Sequence, residues 1–189
     1  MTEIRIKKDL AQVRNEKEIE FSQVKSDHNH FKAIIKGPSE TPYENGKFQI
    51  DIRIPDNYPF SPPKMQFDTR IWHPNVSSQT GAICLDILKD EWSPALSIRT
   101  ALISIQALLN SAEPDNPQDA VVAKQYKEDR ELFNKTAAEW TDIHAKGANP
   151  HDFSIKKLID MGFCEDDVKV ALEKSNWNED EAIQVLLQL

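Results

Sequence analysis

The chemistry this sequence offers centres on one cysteine. Cys84 stands nine positions after Asn75, in the tripeptide His73-Pro74-Asn75. The stretch VSSQTGA that follows Asn75 is polar and holds a glycine, which is turn composition. Trp72 and Trp92 bracket the segment, and Ser93-Pro94 closes it. A cysteine in irregular backbone is a candidate nucleophile, but most lone cysteines are small buried hydrophobes. The surroundings must decide. Cys164 is the second cysteine, and no CxxC or Cys/His spacing joins the two. Neither a disulfide nor a metal site is expected, no cofactor is implied, and a reducing cytoplasmic or nuclear compartment fits.

The elements that must position this segment follow from periodicity. Residues 2–17 place Ile6, Leu10 and Val13 on one helical stripe, with Arg5, Lys7 and Lys8 clustered beside it. From Ile19 to Phe67 the period changes to two, most strictly at Phe48, Ile50, Ile52 and Ile54. Gly37-Pro38 and Asn45-Gly46 punctuate an antiparallel meander of about four strands with one wet face. The proline loop YPFSPPK follows, with apolar Phe60 on it. Beyond the central segment, Ser97 caps a long helix carrying Ile98, Leu102, Ile105 and Leu109, which should cross the sheet. Helices over about 119–128 and 131–145 complete an α+β domain, residues 1–145. A linker at 146–151 leads to residues 152–189, which hold three short helical patterns, a small three-helix bundle.

Charge and hydropathy exclude some classes. A net charge of −8 over 189 residues argues against nucleic-acid binding. No apolar run approaches the ~18 residues a membrane span needs, and the N-terminal stretch has no signal-peptide core. With five glycines and no phosphate loop, a nucleotide-binding enzyme is disfavoured. From Pro150 onward there are nine acids against four lysines, so the basic cluster at the front suggests docking to an acidic protein surface.

In this order the motifs resemble the ubiquitin-conjugating enzymes. His73-Pro74-Asn75 followed by Ile83-Cys84-Leu85-Asp86 matches that family's signature, and YPFSPPK, Trp92-Ser93-Pro94-Ala95 and Glu113-Pro114-Asp115-Asn116-Pro117 match in order. Residues 152–189 resemble a ubiquitin-associated (UBA) domain, with Met161-Gly162-Phe163 as its first-loop motif. The resemblance implies a Cys84 thioester with ubiquitin, accepted from the activating enzyme and passed to lysine amines. Degradation-directed polyubiquitin is the implied product. Asn75 would serve as oxyanion donor or loop fastener, and the sequence leaves both open. Asp86 would orient the incoming lysine, whereas His73 and Pro74 would shape the loop. Many family members carry an acid where this chain has Asn116, and an amide cannot accept a proton. Asp115 or Asp86 must then cover that task, or discharge to free lysine is weaker. No basic residue flanks Cys84, so its activation is expected from positioning by partners.

The same resemblance assigns surfaces. Arg5, Lys7 and Lys8 would meet the activating enzyme and the ligases in turn. Phe60, Ser93, Pro94 and Ala95 would contact RING-type ligases. Thr100, Ile103 and Ala107 would receive the donor ubiquitin, with a core position the alternative for Ile103. Met161, Gly162, Phe163, Leu186 and Leu187 would bind ubiquitin, Leu186 being the residue whose pattern also suits the core. Partners would be ubiquitin, the activating enzyme, ligases and substrates or growing chains, around a monomer. A conjugating enzyme for another ubiquitin-like modifier, a silent ubiquitin-binding adaptor and a cysteine hydrolase are the competing readings.

Overall fold

A computed structural model describes residues 2–16, 18–24, 27–146, 155, 158–159, 161–175 and 179–187. The chain divides into two compact units, Met1–Lys146 and Gly147–Leu189. The larger opens with α1 (Thr2–Arg14) and continues through β1 (Ile19–Gln23), β2 (His30–Lys36), β3 (Lys47–Arg53) and β4 (Lys64–Phe67). These four strands form one antiparallel sheet in the order β1-β2-β3-β4.

The alternation read from the sequence sets the register. Phe31 opposes Ile52, Ala33 opposes Ile50 and Ile35 opposes Phe48, while Ile50 and Ile52 face Phe67 and Met65 on β4. All of these side chains are buried on one face, because a one-residue slip would turn the whole apolar set to solvent. The other face is less wet than its polar residues suggest. Asp51 is buried there, accepting from Lys32 and His30. Burial pushes its carboxyl pKa up, but those charged and hydrogen-bonding neighbours prevail and hold it below the usual range.

Helix α2 (Ile98–Asn110) buries Ile98, Ala101, Leu102, Ile105, Leu108 and Leu109 in the same core as the sheet's inner face. Its N-terminus is fastened as expected: the Ser97 hydroxyl accepts from the Thr100 N–H at 3.2 Å. Helices α3 (Ala120–Glu128) and α4 (Arg130–His144) follow, each capped by an aspartate, Asp119 and Asp129. In the second unit, Ile155, Leu158 and Ile159 are helical, followed by α5 (Glu165–Lys174) and α6 (Glu179–Leu186). Leu158, Val168, Ala171, Leu172, Ala182 and Leu186 form its core. Of the linker expected at 146–151 all but Lys146, together with Phe153 in the first helical pattern, lies outside the described residues.

Between β4 and α2 runs a long irregular segment, held by isolated bridges rather than by a ladder. His73 pairs with Val76, Val76 with Ile83, and Gln66 with Ala82. Its turn depends on Gly81, whose φ is +75° and whose carbonyl accepts from Phe67 N–H at 2.9 Å. A Cβ on Gly81 would lie 1.9 Å from the Phe67 carbonyl oxygen. Gly81→Ala should therefore lower unfolding stability by more than about 2 kcal/mol, read from a urea midpoint, through left-handed strain and this clash together.

Candidate active site

The segment is anchored at both ends by its tryptophans. The Trp72 indole N–H donates to Gln125 Oε1 on α3 at 2.6 Å, and its carbonyl accepts from the buried Tyr43 hydroxyl at 2.8 Å. Its ring lies 5.0 Å from that of Trp140 on α4. At the far end the Trp92 N–H donates to the Pro59 carbonyl at 2.7 Å. These ties span 29 to 53 residues of sequence and locate the loop on the domain.

His73 lies between α2 and the loop and is fully buried. Its Nε2 bonds the Leu108 carbonyl at 3.0 Å, and Nδ1 accepts from the Asn75 N–H at 3.0 Å. That pair of bonds selects the neutral Nε2–H tautomer. Burial drives the imidazole pKa down from 6.5 to about 4, against the opposing pull of the Leu108 carbonyl. With both nitrogens engaged inside the protein, His73 is a fastener and has no free lone pair for general-base work.

Asn75 is 1% exposed and uses every hydrogen-bonding group it has. Its backbone N–H goes to His73, and its carbonyl accepts from the Cys84 N–H at 2.9 Å. The side-chain NH2 donates to the carbonyls of Glu113 and Asn116 at 2.9 and 3.0 Å, and Oδ1 accepts from Glu113 N–H at 2.8 Å. Of the two roles left open by the sequence, this geometry builds the loop fastener. Oxyanion donation would require breaking one of the two carbonyl bonds.

The 113–119 loop is held from a second side. Gln118 and Asp119 N–H groups donate to the Pro74 carbonyl at 2.9 and 3.0 Å. One Asp119 oxygen caps α3, accepting from Val121 and Val122 N–H; the other accepts from the Ser78 N–H and hydroxyl at 3.1 and 2.7 Å. Burial raises the Asp119 pKa, but these donors outweigh it and keep the carboxyl below its ordinary value. Asp119 is a site-shaping residue that the sequence placed only at the start of a helix.

Cys84 itself is a half-buried free thiol. After it comes a single 3-10 turn, Asp86–Leu88, which folds the chain back. This brings the Lys89 Nζ to 3.4 Å from Sγ, so a basic group does stand beside the cysteine. Sequence neighbourhood missed it because the turn, not adjacency, makes the contact. Asp86 opens that turn and is exposed. Asp115 is exposed and paired with Lys127, Oδ1 to Nζ 2.7 Å. The Asn116 side chain is exposed, and only its carbonyl is engaged by Asn75.

The remaining assigned residues sort by exposure. Lys7 and Lys8 are exposed on α1, whereas Arg5 turns inward and spends its guanidinium on Asp9 and on the carbonyls of Pro94 and Leu96. Arg5 is thus not a free surface cation: its i, i+4 partner and two loop carbonyls claim it. Phe60 is 78% exposed, and Ser93, Pro94 and Ala95 are exposed too. On α2, Ile103 is 37% exposed and Ala107 is exposed, with Thr100 half-buried beside the Ser97 cap, so the core alternative for Ile103 does not hold. In the second unit Met161, Gly162 and Leu187 are exposed and Phe163 is half-buried. Leu186 is 6% exposed and belongs to the core, because its i, i+4 spacing from Ala182 turns it inward. It leaves the proposed patch.

A profile for the ubiquitin-conjugating enzymes matches residues 5–141. The chain belongs to the ubiquitin-conjugating enzyme family. These enzymes are thioester-forming transferases, and ubiquitin, activating enzyme and ligases are their partners. A UBA/TS-N domain profile matches residues 150–186. The chain is 48% identical over 192 residues to ubiquitin-conjugating enzyme E2-22 kDa of Drosophila melanogaster, covering 96% of each. It is 47% identical over 191 residues to human ubiquitin-conjugating enzyme E2 K, covering 97% of this chain and 96% of that one. A solved E2 domain from Toxoplasma gondii superposes with a TM-score of 0.74 at 53% identity, covering 77% of this chain and all of that one.

Two measurements check the fastening. Asn75→Ala strands the carbonyls of Glu113 and Asn116 and the N–H of Glu113, so it should cost about 1–3 kcal/mol of stability, read by urea unfolding. An unchanged midpoint would leave only the oxyanion role. For His73, the folded pKa lies below the unfolded one, so the unfolded chain binds more protons between about 4 and 6.5. Its contribution, about 3 kcal/mol, should be present above pH 6.5 and lost as pH falls toward 4. His73→Gln should flatten the stability-versus-pH slope across that window.

Proposed function

We propose that Cys84 accepts ubiquitin from the activating enzyme and passes it to lysine amines, assembling polyubiquitin chains for degradation. In the first step the Cys84 thiolate attacks the activating enzyme's thioester carbonyl; a new S–C bond forms and the activating enzyme's thiolate leaves. In the second an uncharged lysine amine attacks the Cys84 thioester, expels the Cys84 thiolate and loses its extra proton to solvent or a nearby carboxylate. Sulfur suits both steps, being a good nucleophile and a good leaving group.

The observation that carries this reading is the clamp around the thiol. Cys84 is fixed through its N–H to Asn75, and Asn75 fixes the 113–119 loop on the other side. The frame is rigid and the thiol stays accessible, which is what an acyl carrier needs when reactivity is supplied by orientation. Lys89 supplies a donor to Sγ within the same frame.

The surfaces support the partner assignments. Lys7 and Lys8 face solvent for the activating enzyme, Phe60 and Ser93–Ala95 for RING-type ligases, and Ile103 with Ala107 for the donor ubiquitin. In the UBA unit, Met161 and Leu187, with the edge of Phe163, present apolar surface suited to ubiquitin. A tethered weak site of this kind raises the local concentration of a growing chain. Free thiols at Cys84 and Cys164 suit a reducing cytoplasmic or nuclear setting, with the protein acting as a monomer.

Incubation with ATP, activating enzyme and ubiquitin should yield an adduct that a thiol reductant cleaves. Cys84→Ala should abolish it and Cys164→Ala should leave it intact. Absence of the adduct with ubiquitin, or its persistence in Cys84→Ala, would overturn the reading.

A further inference from the structure

The loops that carry Phe60 and Ser93–Ala95 are more than 30 residues apart in sequence, yet one closed circuit of polar and ring contacts joins them through α1. Arg5 donates from one guanidinium nitrogen to the Pro94 carbonyl at 2.7 Å and from another to the Leu96 carbonyl. Its third, Nε, reaches Asp9 Oδ1 at 3.0 Å. The other Asp9 oxygen accepts from the Tyr58 hydroxyl. The Tyr58 ring lies 6.0 Å from Trp92, and the Trp92 N–H donates back to Pro59 at 2.7 Å. From Trp92 the chain itself returns to Pro94.

The circuit is dry at its centre. Asp9 is 1% exposed and Tyr58 fully buried, so no water substitutes for a missing partner. An unpaired buried carboxylate is costly, and one guanidinium N–H and a phenol together satisfy it. What emerges at the rim is a set of partner-facing residues: Phe60 from one loop and Ser93, Pro94 and Ala95 from the other. A partner engaging both loops at once gains if their separation is set before it arrives, because loop ordering then costs nothing on binding.

We propose that Arg5, Asp9 and Tyr58 are positioning residues for the ligase-dependent step, fixing the two loops relative to one another without touching the reacting atoms. The circuit lies apart from the Asn75 clamp and shares none of its hydrogen bonds. It therefore governs how well a ligase engages the charged protein and leaves charging and unstimulated discharge alone. This inference rests on the proposed assignment of the two loops to RING-type ligases.

The test uses the full chain, charged with ubiquitin, and a RING domain chosen because it stimulates discharge of the wild-type protein to free lysine. Tyr58→Phe removes one oxygen and keeps the ring; Asp9→Asn keeps the volume and removes the charge. For both, the RING concentration giving half-maximal stimulation should rise about tenfold, with charging and unstimulated discharge within twofold of wild type. A half-maximal concentration that stays at the wild-type value overturns the proposal. So does a fall in all three rates together that tracks a lowered unfolding temperature, which is a purely structural effect. Phe60→Ala separates the two levels of the argument. If it leaves stimulation intact, the loop assignment itself fails; if it abolishes stimulation while Tyr58→Phe and Asp9→Asn do not reduce it, only the circuit fails.

Discussion

The site depends on a single buried amide. Asn75 has one backbone donor, one backbone acceptor, two side-chain donors and a side-chain acceptor, and each is matched within the protein. No other residue type supplies that set in that shape. Aspartate would face two carbonyls with a charged acceptor, leucine would strand three polar groups, and glutamine would overreach by a methylene. The cysteine segment and the 113–119 loop are both irregular, so neither can borrow rigidity from a ladder or a helix. Their mutual position comes from this amide and from the Pro74 carbonyl, which accepts from Gln118 and Asp119.

Rigidity assembled from side-chain fasteners has a cost that regular structure avoids. Each fastener is a buried or half-buried polar group whose loss leaves a partner unsatisfied. His73, held neutral between Leu108 and Asn75, and Asp119, shared between Ser78 and the α3 N-terminus, are both of this kind. The sheet and α2 carry the bulk of the apolar burial and keep the domain folded while the loops are built from such parts. Acyl transfer between two enzymes then depends on placing a carbonyl correctly over sulfur.

How much of this was legible in the sequence varies with the kind of interaction. The period-two run Phe48–Ile54 and the helical spacing of Ile98, Leu102, Ile105 and Leu109 set the sheet and its covering helix, since burial of one face leaves no other register. The Ser97 cap was legible because a capping side chain bonds its own helix. The contacts that make the site were not. Arg5 bonds carbonyls about 90 residues away and Asn75 bonds carbonyls about 40 away, and a carbonyl is the same group in every residue, so no side-chain pattern announces it. Lys89 was hidden by a 3-10 turn that no capping residue marks. Leu186 and Leu187 are adjacent and identical in type; only the phase of α6 against Ala182 sends one inward and the other out.

That contrast bears on which group meets the incoming amine. The backbone of the 113–119 loop is locked, through Glu113 and Asn116 to Asn75 and through Gln118 and Asp119 to Pro74. Asp115, an exposed acid of this loop, is instead held by Lys127 across an exposed pair. Exposed pairs of this kind contribute about 0–1 kcal/mol, so an arriving ammonium can replace Lys127 at almost no net cost. A buried partner would have made the same exchange prohibitive. The loop thus presents a fixed backbone with an exchangeable carboxylate one residue from the carbonyl that Asn75 binds. The amide at position 116 has beside it an exposed acid whose pairing with an amine is readily exchanged.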